Sequence, residues 1–433
     1  MATAELAGDV PRGIGAARSD GSVLARAGRW VWSTRPFTIA VLSLLSGLVA
    51  SSLVLVLSIE ELRHSWGSFF SHPLGTLDDT RAFLWNAYGG LLRGAVGSPS
   101  TWADAVRNPS TESWATAARP LGNTITSSVP LVIGGLGLSV AYRSGVFNIG
   151  GRSQLVGGAV LASWAGFSFP SMPAIVHVPM ALAAGIVGGA LMGLLPGLLK
   201  AWTGASEVIV TIMMNYVAAN LLVYLLTSTF FQNSRAGSTA PTGRITLPSA
   251  RLPMLFGDRV GINLGLIVAI VSVIVVAVFL TRSRLGFELQ MAGASRDAAR
   301  VAGLSQARVY VVALVLSGGI VGLAGAVQVL GTTGQLQSTF GGELGALVLV
   351  VALVGRSSPT GVVFAGVLYG ALQAGGLTMQ LEAGVSYQLV GVFQALIVLF
   401  VTAPALVAAI YRLRQGGPSS EMFTTSMSAG WSA

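Results

Sequence analysis

The chain has 433 residues, of which 53% are hydrophobic and only 9% are charged, and its net charge is +9. A soluble domain carries about 25% charged residues, so this composition excludes an ordinary soluble fold and indicates that lipid covers much of the chain. The absence of cysteine excludes disulfides, thiolate metal sites and cysteine nucleophiles, and the three histidines lie far apart in the sequence.

The apolar segments are continuous and about twenty residues long, which is the length that a membrane-spanning helix needs. Spanning β-strands would instead alternate apolar and polar residues over about ten positions. Inside lipid every backbone N–H and C=O needs an internal partner, and a helix supplies these partners by itself. The sequence therefore predicts an all-α protein, a polytopic transmembrane helix bundle.

At the amino terminus, residues 1–35 are polar and predict a disordered cytoplasmic tail, and residues 412–433 predict a second cytoplasmic tail. Between the tails, a transmembrane domain over 36–411 is expected to contain about ten spans. The predicted spans cover residues 36–58, 121–141, 150–169, 174–199, 206–230, 262–281, 309–330, 342–355, 360–378 and 385–410.

The basic residues that flank the short connections lie on one predicted side of the membrane. Arg143 and Arg152 bracket the turn after the second span, Lys200 follows the fourth span, and further arginines occupy 282–308. The opposite side has two long loops, of which 59–118 carries several acidic residues. The positive-inside rule therefore predicts that both termini and segment 282–308 are cytoplasmic and that loop 59–118 is extracytoplasmic. Because orientation accounts for the positive charge, we expect no nucleic-acid partner.

The predicted spans are nearly free of ionisable residues, whereas ion-coupled carriers place such groups deep in the bilayer. This weakens the hypothesis of an ion-coupled carrier or channel that acts alone, and leaves it open. An ATP-driven permease would need a separate ATPase, because a phosphate-cradling loop requires a lysine followed by Ser or Thr. The single lysine, Lys200, is followed by Ala201. We therefore expect no catalytic residue, no metal site and no cofactor in this chain.

The segment between the sixth and seventh predicted spans, 282–310, reads RSRLGFELQMAGASRDAARVAGLSQARVY. Its alanines favour a short helix, and Gly303 suits the C-terminal stop of that helix. Such a helix would lie across the inner membrane face and dock in a cleft of an ATPase, or the segment is an ordinary charged loop. The residues of the predicted docking helix are Ala294, Arg296, Asp297, Ala298, Ala299, Arg300 and Gly303.

Four stretches carry a family resemblance. They are GVFNIGGRSQLVGGA at 145–159, SEVIVTIMMNYVAANLL at 206–222, GFELQMAGASRDAARVAGLS at 286–305 and FGGELGALVLVVALVGRSSPTGVVFAGVLYGALQAGG at 340–376. In this order they resemble the permeases of the branched-chain amino acid, ribose and nucleoside family of bacterial ABC importers, and the FNIG run resembles the simple-sugar and nucleoside branch. The family often has an acid where Arg152 stands, so no role for that carboxylate is carried over.

The resemblance implies a multi-pass permease of the bacterial inner membrane that forms the translocation pathway for nucleosides. It also implies a second permease subunit, identical or homologous, and an extracytoplasmic substrate-binding lipoprotein. A cytoplasmic ABC ATPase would bind ATP and Mg²⁺ and act on the coupling helices, whose movement would switch access to the pathway. Simple sugars and branched-chain amino acids remain alternative substrates.

A nucleoside or sugar offers many hydrogen-bond donors and acceptors, so its pathway is expected to expose neutral amides and hydroxyls together with aromatic rings. Amides and aromatic rings inside apolar runs are therefore candidate pathway residues, or else they hydrogen-bond between helices. Asn215 and Asn220 are the first candidates, and Tyr216, Phe340, Asn148, Gln154, Gln328 and Gln373 complete the set. Glu207 either orients the start of its helix through the helix dipole or has a mechanistic role.

Overall fold

The computed structural model describes residues 35–233, 241–403 and 410–411. Within these ranges every regular element is a helix, and isolated bridges are the only β-type pairing. The prediction of an all-α protein is therefore confirmed. Except for Arg35, the predicted tails 1–35 and 412–433 lie outside the described residues.

The α-helices are numbered here in chain order. The first group comprises α1 (Arg35–Ser58), α2 (Glu60–Gly67), α3 (Pro73–Val96) and α4 (Pro99–Arg107). The central group comprises α5 (Thr111–Arg143), α6 (Gly151–Ser168), α7 (Ala174–Thr203), α8 (Glu207–Thr227) and, after a 3₁₀ turn at Pro248–Ala250, α9 (Gly265–Arg282). The last group comprises α10 (Arg284–Ala294), α11 (Arg296–Val301), α12 (Gln306–Gln328) with a π turn at Val329–Thr333, α13 (Gly342–Val354), α14 (Pro359–Ala383) and α15 (Tyr387–Thr402).

Six helices in the described ranges are long and apolar enough to cross a membrane, namely α5, α7, α8, α9, α14 and α12 with its π turn. The count rises to seven if α1 and α2, which bend by 84° where they meet, form one span. The predicted spans 150–169, 342–355 and 385–410 coincide with the shorter or less apolar helices α6, α13 and α15, and residues 404–409 lie outside the described part. The structure supports a membrane-spanning helix bundle, and the number of ten spans stays a prediction.

The segment predicted as a long loop, 59–118, is helical instead and contains α2, α3, α4 and the start of α5. Its longest helix, α3, packs on α14, where Gly94 lies against Thr378 and Arg93 forms an ion pair with Glu382. The sequence pattern did not predict this helix, because charged residues and glycines interrupt its apolar stretch. The structure corrects the expectation of an irregular loop, and the extracytoplasmic location stays a prediction.

Helices α7 and α12 pack closely against each other, and their backbones meet through small residues. A Cβ atom at Gly189 would collide with the carbonyl of Gly318, and one at Gly193 would collide with the carbonyl of Leu314. In lipid no hydrophobic force drives helices together, so small residues that permit close approach supply the van der Waals contact. The close approach of α7 and α12 therefore depends on glycine at these positions.

Two hydrophobic cores share α14. The larger core extends through α5–α14 and includes Tyr369, whereas the smaller core joins α1, α3 and α15 to α14 through residues such as Leu55, Met379 and Phe393. Helix α14 therefore connects the outer helices to the central bundle. Its middle section, between the two cores, borders the cavity described next.

Candidate functional site

A cavity of about 270 Å³ lies between α5, the end of α12, the start of α13 and the middle of α14. Small-molecule binding pockets begin at about 300 Å³, so this cavity is close to that range. Its wall combines hydroxyls and amides with one aromatic ring and one carboxylate. The lining residues are Thr126, Ser127, Pro130, Gln328, Thr332, Thr333, Gln337, Thr339, Phe340, Gly341, Gly342, Glu343, Leu344 and Gln373.

The wall contributed by α12 is irregular because this helix ends in the π turn Val329–Thr333. Such turns are rare in proteins as a whole, and many of those that do occur lie at functional sites. The turn brings Thr332 and Thr333 into the lining, and Asn263 donates to one of its backbone carbonyls at 2.8 Å. Gly334 ends the turn with a φ of +67°, a conformation that glycine adopts without strain.

The wall contributed by α5 contains a proline inside the helix. Pro130 has no N–H, so the carbonyl of Thr126 loses its hydrogen-bond partner in the next turn of the helix. Both residues line the cavity, and the Thr126 hydroxyl donates to the carbonyl of Gly261 at 3.0 Å. Pro130 therefore leaves a backbone acceptor without a helical partner in the section of α5 that borders the cavity.

The structure brings three of the predicted pathway residues together at this cavity: Gln328, Phe340 and Gln373. Phe340 is only 8% exposed, so packing holds its ring in place. Among the described residues, neither glutamine side chain has a hydrogen-bond partner. Each free amide offers two donors and an acceptor, and an aromatic ring offers a stacking face. The cavity is therefore suited to a polar ligand that can also contact an aromatic side chain, and the carboxylate of Glu343 disfavours an anion.

Sequence reasoning missed the hydroxyl groups of the wall and also Gln337 and Glu343. One signal was present in the polar run GTTGQLQST at 331–339, which follows an apolar span without an intervening charge. A second signal was the run ITSS at 125–128 inside the second predicted span. Both runs place several small polar groups within or directly after a predicted apolar span.

Two further predicted pathway residues, Asn148 and Gln154, lie in a closed polar cluster outside this cavity. Asn148 Nδ2 donates to Gln154 Oε1 at 3.1 Å and to Ser317 Oγ at 2.9 Å, while Asn148 Oδ1 accepts from the N–H of Gly150 at 2.9 Å. All three side chains are fully buried. The contacts hold the α5–α6 connection against α12 and support the alternative of interhelical hydrogen bonding. A pathway role for these two residues stays a prediction.

The three candidates on α8 occupy two different faces. Asn215 clamps the α5–α6 connection, because its Nδ2 donates to Ile149 O at 3.0 Å and its Oδ1 accepts from Ser153 N at 2.9 Å. Tyr216 and Asn220 are exposed on another face of the helix, where Asn220 Nδ2 donates to the backbone carbonyl of Tyr216 at 2.8 Å. The described residues of this single chain do not cover that face.

Arg152 stands in the first turn of α6, where the resembling family often has an acid. A Cβ at Gly345 would lie 2.6 Å from the Cα of Arg152, so α13 approaches α6 closely because glycine occupies that position. The Arg152 side chain is half-buried, and its Nε has no hydrogen-bond partner among the described residues. Arg152 therefore belongs to the contact between α6 and α13.

Glu207 forms a largely buried ion pair with Lys200. Lys200 Nζ lies 2.7 Å from Glu207 Oε2, and the two side chains are 17% and 13% exposed, respectively. The same ammonium group lies over the ring of Tyr310, 5.4 Å from its centroid. The pair joins the last turn of α7 to the first turn of α8, where an acid is also favoured by the helix dipole.

The predicted docking helix is present as α11, which follows α10 after the single residue Ser295. The Ser295 hydroxyl caps it by accepting from Ala298 N at 3.2 Å, and Gly303, with a φ of +80°, lies just beyond its end. Ala299 is buried against the bundle. The exposed members of the predicted set are Ala294, Arg296, Asp297, Ala298, Arg300 and Gly303. The geometry presents the charged side chains to solvent, and their contact with an ATPase stays a prediction.

The described residues contain no group of three or more His, Cys, Asp or Glu side chains that could hold a metal ion. The polar groups of the cavity are amides and hydroxyls, with the carboxylate of Glu343 as the single acid in the lining.

Comparison with known proteins identifies related sequences. A sequence model of the family described as "Branched-chain amino acid transport system / permease component" matches residues 121–402. The nucleoside ABC transporter permease protein NupB of Lactococcus lactis is 32% identical over 67% of this chain and 81% of its own length. The guanosine ABC transporter permease protein NupP of Bacillus subtilis is 36% identical over 65% and 81%, respectively. The glucose ABC transporter permease protein TsgB13 of Haloferax volcanii is 32% identical over 65% and 75%. No solved structure matches the chain.

Proposed function

The chain belongs to the family of branched-chain amino acid transport system permease components, and we propose that it forms the membrane pathway of an ATP-driven importer for nucleosides. It is a multi-pass protein of the cytoplasmic membrane and a transport component. The matched region, 121–402, contains every residue that lines the cavity. Two relatives at 32% and 36% identity are named as nucleoside and guanosine permeases, which favours nucleosides as the substrate class.

The chemistry of the cavity is the observation that carries this proposal. A nucleoside combines a flat base with a sugar that has several hydroxyls, so its site needs a stacking face together with donors and acceptors. Phe340 supplies the ring, the side chains of Gln328 and Gln373 supply amides, and threonines complete the wall. The ligand would exchange its water shell for these groups, and the carboxylate of Glu343 is the single charged side chain in the lining.

A simple sugar is the second candidate substrate, because the relative from Haloferax volcanii is named as a glucose permease and the hydroxyl-rich wall also suits a sugar. The aromatic side chain in the lining, together with the two relatives named as nucleoside and guanosine permeases, favours a nucleoside over a sugar alone. A branched-chain amino acid fits less well, since its ammonium and carboxylate groups need partners of both signs. The lining contains Glu343 and no basic side chain.

The proposed assembly contains a second permease subunit, a cytoplasmic ABC ATPase that carries ATP and Mg²⁺, and an extracytoplasmic substrate-binding lipoprotein. The chain itself would cross the membrane in about ten spans, with both termini and α11 in the cytoplasm. Polar groups in a membrane span are costly when they face lipid. The exposed face of α8 that carries Tyr216 and Asn220 is therefore proposed to extend the pathway toward the second permease subunit.

Uptake by whole cells tests the substrate class directly. Cells that lack this chain and cells in which it has been restored would be supplied with labelled guanosine, glucose or leucine. We expect guanosine uptake to disappear with the deletion and to return with the chain, while leucine uptake stays unchanged. Loss of glucose uptake alone would contradict the nucleoside proposal and favour the sugar.

Charge reversal on α11 tests the contact with the ATPase. The double substitution Arg296→Glu and Arg300→Glu is expected to lower uptake at least tenfold while the chain still accumulates in the membrane, because two exposed cations become anions at the proposed docking surface. The matched substitution of both residues by lysine preserves the charge and is expected to retain most of the uptake. Normal uptake by the glutamate variant would remove the docking assignment.

A further inference from the structure

Three of the helices that form the cavity converge on one arginine at their far ends. Helix α5 ends at Arg143, and α13 and α14 are joined by the turn 355–358. The residues that line the cavity lie at the opposite end of α13 and in the middle of α5 and α14. They are roughly 20 Å from Arg143 and the turn, by the helical rise of 1.5 Å per residue. A displacement at this end of the bundle would therefore reach three walls of the cavity at once.

The guanidinium of Arg143 connects the turn to the segment that leads into α11. Its Nε donates to the carbonyl of Ser357 at 2.6 Å, and its Nη1 donates to Gln290 Oε1 at 3.1 Å. Gln290 lies on α10 and also donates to Leu280 O, the last turn of α9, at 2.6 Å. One planar, half-buried group thus bridges the 355–358 turn and α10, which continues into α11 after a single residue.

The backbones of α10 and of the end of α5 also approach each other closely next to Arg143. A Cβ at Gly293 would collide with the carbonyl of Arg143, and the neighbouring Gly145 has a φ of +71°. Helix α10 therefore rests directly on the end of α5 and on the start of the α5–α6 connection. Larger residues at these positions would push the two segments apart.

The turn that Arg143 holds has an unusual backbone. Arg356 and Ser357 both have a φ of 51°, and in the described ranges they are the only residues other than glycine with positive φ. The N–H of Ser357 closes the end of α13 by donating to Ala352 O at 2.9 Å. Residues with a Cβ are disfavoured in this region and persist there when surrounding contacts determine the conformation, often in switching segments.

We propose that Arg143 is the positioning residue that transmits movement of α10 and α11 to the walls of the cavity. This inference rests on the proposed function, because it requires an ATPase to move α11. When α11 moves, α10 carries Gln290 with it, and the guanidinium transfers the displacement to the carbonyl of Ser357. The 355–358 turn is the element with two arrangements, and α13 and α14 move with it.

The experiment compares uptake with ATP hydrolysis in the assembled importer, purified through a tag on this chain and reconstituted in proteoliposomes. Arg143→Met retains the apolar stem and removes both hydrogen bonds. We expect the amount of solute imported per ATP hydrolysed to fall at least tenfold, while hydrolysis continues. A merely structural role would lower the amount of assembled complex and reduce uptake and hydrolysis in parallel, leaving their ratio unchanged.

Two companion variants separate transmission from simple support of the turn. Gln290→Leu breaks the link on the α10 side and leaves the contact between Arg143 and Ser357 in place, so it should lower the same ratio. The double variant Arg143→Met/Ser357→Gly supplies a glycine that tolerates positive φ without help. We expect its ratio to stay low, because the link to α10 is still absent. A restored ratio in the double variant, or an unchanged ratio in Gln290→Leu, would overturn the proposal.

The ratio is measured with whichever solute the unaltered importer takes up, so an error in the substrate class does not affect this test. An unaltered complex without ATP-driven uptake would contradict the proposed function. A working complex whose ratio is insensitive to these substitutions would contradict only the role of Arg143.

Discussion

Two polar clusters within the bundle contain the same types of side chain and differ in how their hydrogen bonds are satisfied. In the closed cluster, Asn148 bonds to Gln154, Ser317 and Gly150, and all of these groups are buried. In the cavity, the amides of Gln328 and Gln373 have no partner among the described residues. Polar side chains within the bundle thus have two roles. Those around Asn148 hold helices together, and those of the cavity leave hydrogen-bonding capacity for a ligand.

The difference has a physical cause in the neighbouring backbone. Around Asn148, glycines allow helices to approach closely, so its amide meets Gln154, Ser317 and Gly150 within the bundle. Gln154 Nε2 is the one side-chain atom of these contacting groups that has no partner among the described residues. At the cavity, the π turn of α12 and Pro130 in α5 interrupt regular helical packing and leave space. An amide next to a regular glycine face is therefore expected to be structural, whereas an amide next to an irregular turn is available for binding.

The largest effect is expected in the closed cluster. Asn148→Leu leaves three buried groups without a partner, and each orphaned group costs at least about 1 kcal/mol. We expect the free energy of unfolding to fall by about 3 kcal/mol. Unfolding of the purified chain in mixed micelles, followed by circular dichroism, measures this change.

The matched control for that experiment is Asn220→Leu, the same substitution at an exposed asparagine that bonds only within its own helix. Its unfolding free energy is expected to stay within about 0.5 kcal/mol of the unaltered chain. Equal stability of the two variants would mean that the Asn148 contacts contribute little and that the distinction between the clusters is wrong.

A smaller effect, on transport alone, is expected in the cavity. Gln373→Leu removes an amide without orphaning a protein partner, so stability should be preserved while a hydrogen bond to the substrate is lost. A lost hydrogen bond of about 1 kcal/mol corresponds to roughly a fivefold decrease in uptake at low substrate concentration. Gln328→Leu is expected to behave in the same way.

The control in this case is Gln388→Leu, the same change at an exposed glutamine of α15 that does not line the cavity. Its uptake should match that of the unaltered chain. If Gln373→Leu lowered stability instead, or if Gln388→Leu lowered uptake equally, the proposal that the cavity amides bind the substrate would be contradicted.

The sequence predicted the helical class and a short helix before Gly303, and three of its candidate pathway residues line the cavity, because each of these predictions depends on local chemistry. Continuous apolar runs predict helices wherever they fold, and the alanines before Gly303 predict α11 from helix propensity and the glycine stop alone. Gln328 and Gln373 could be selected because amides are unusual inside apolar runs, and Phe340 could be selected because a nucleoside pathway is expected to offer an aromatic ring. None of these predictions required knowledge of which helices are neighbours.

The remaining features depend on contacts between distant segments. Nothing local distinguishes Asn148 from Gln328, and only packing shows that the first meets Ser317, which is far away in the sequence. The packing of α3 could not be predicted for a related reason: Gly94 lies against Thr378 of α14, which is far away in the sequence. The role of Arg143 likewise follows from its meeting with Gln290 and Ser357, which lie in two other segments.

The smallest effect is expected on the exposed face of α8, and it tests whether that face belongs with the cavity. Asn220 uses one amide hydrogen within its own helix, and its carbonyl oxygen has no partner among the described residues. If this face extends the pathway, Asn220→Leu should lower uptake about threefold, since a threefold change corresponds to less than one neutral hydrogen bond of about 1 kcal/mol. Uptake equal to that of the unaltered chain would confine the pathway to the cavity. A tenfold decrease would instead make α8 the more important part of the route, because a residue that bonds only within its own helix would then affect transport more than a residue in the wall of the cavity.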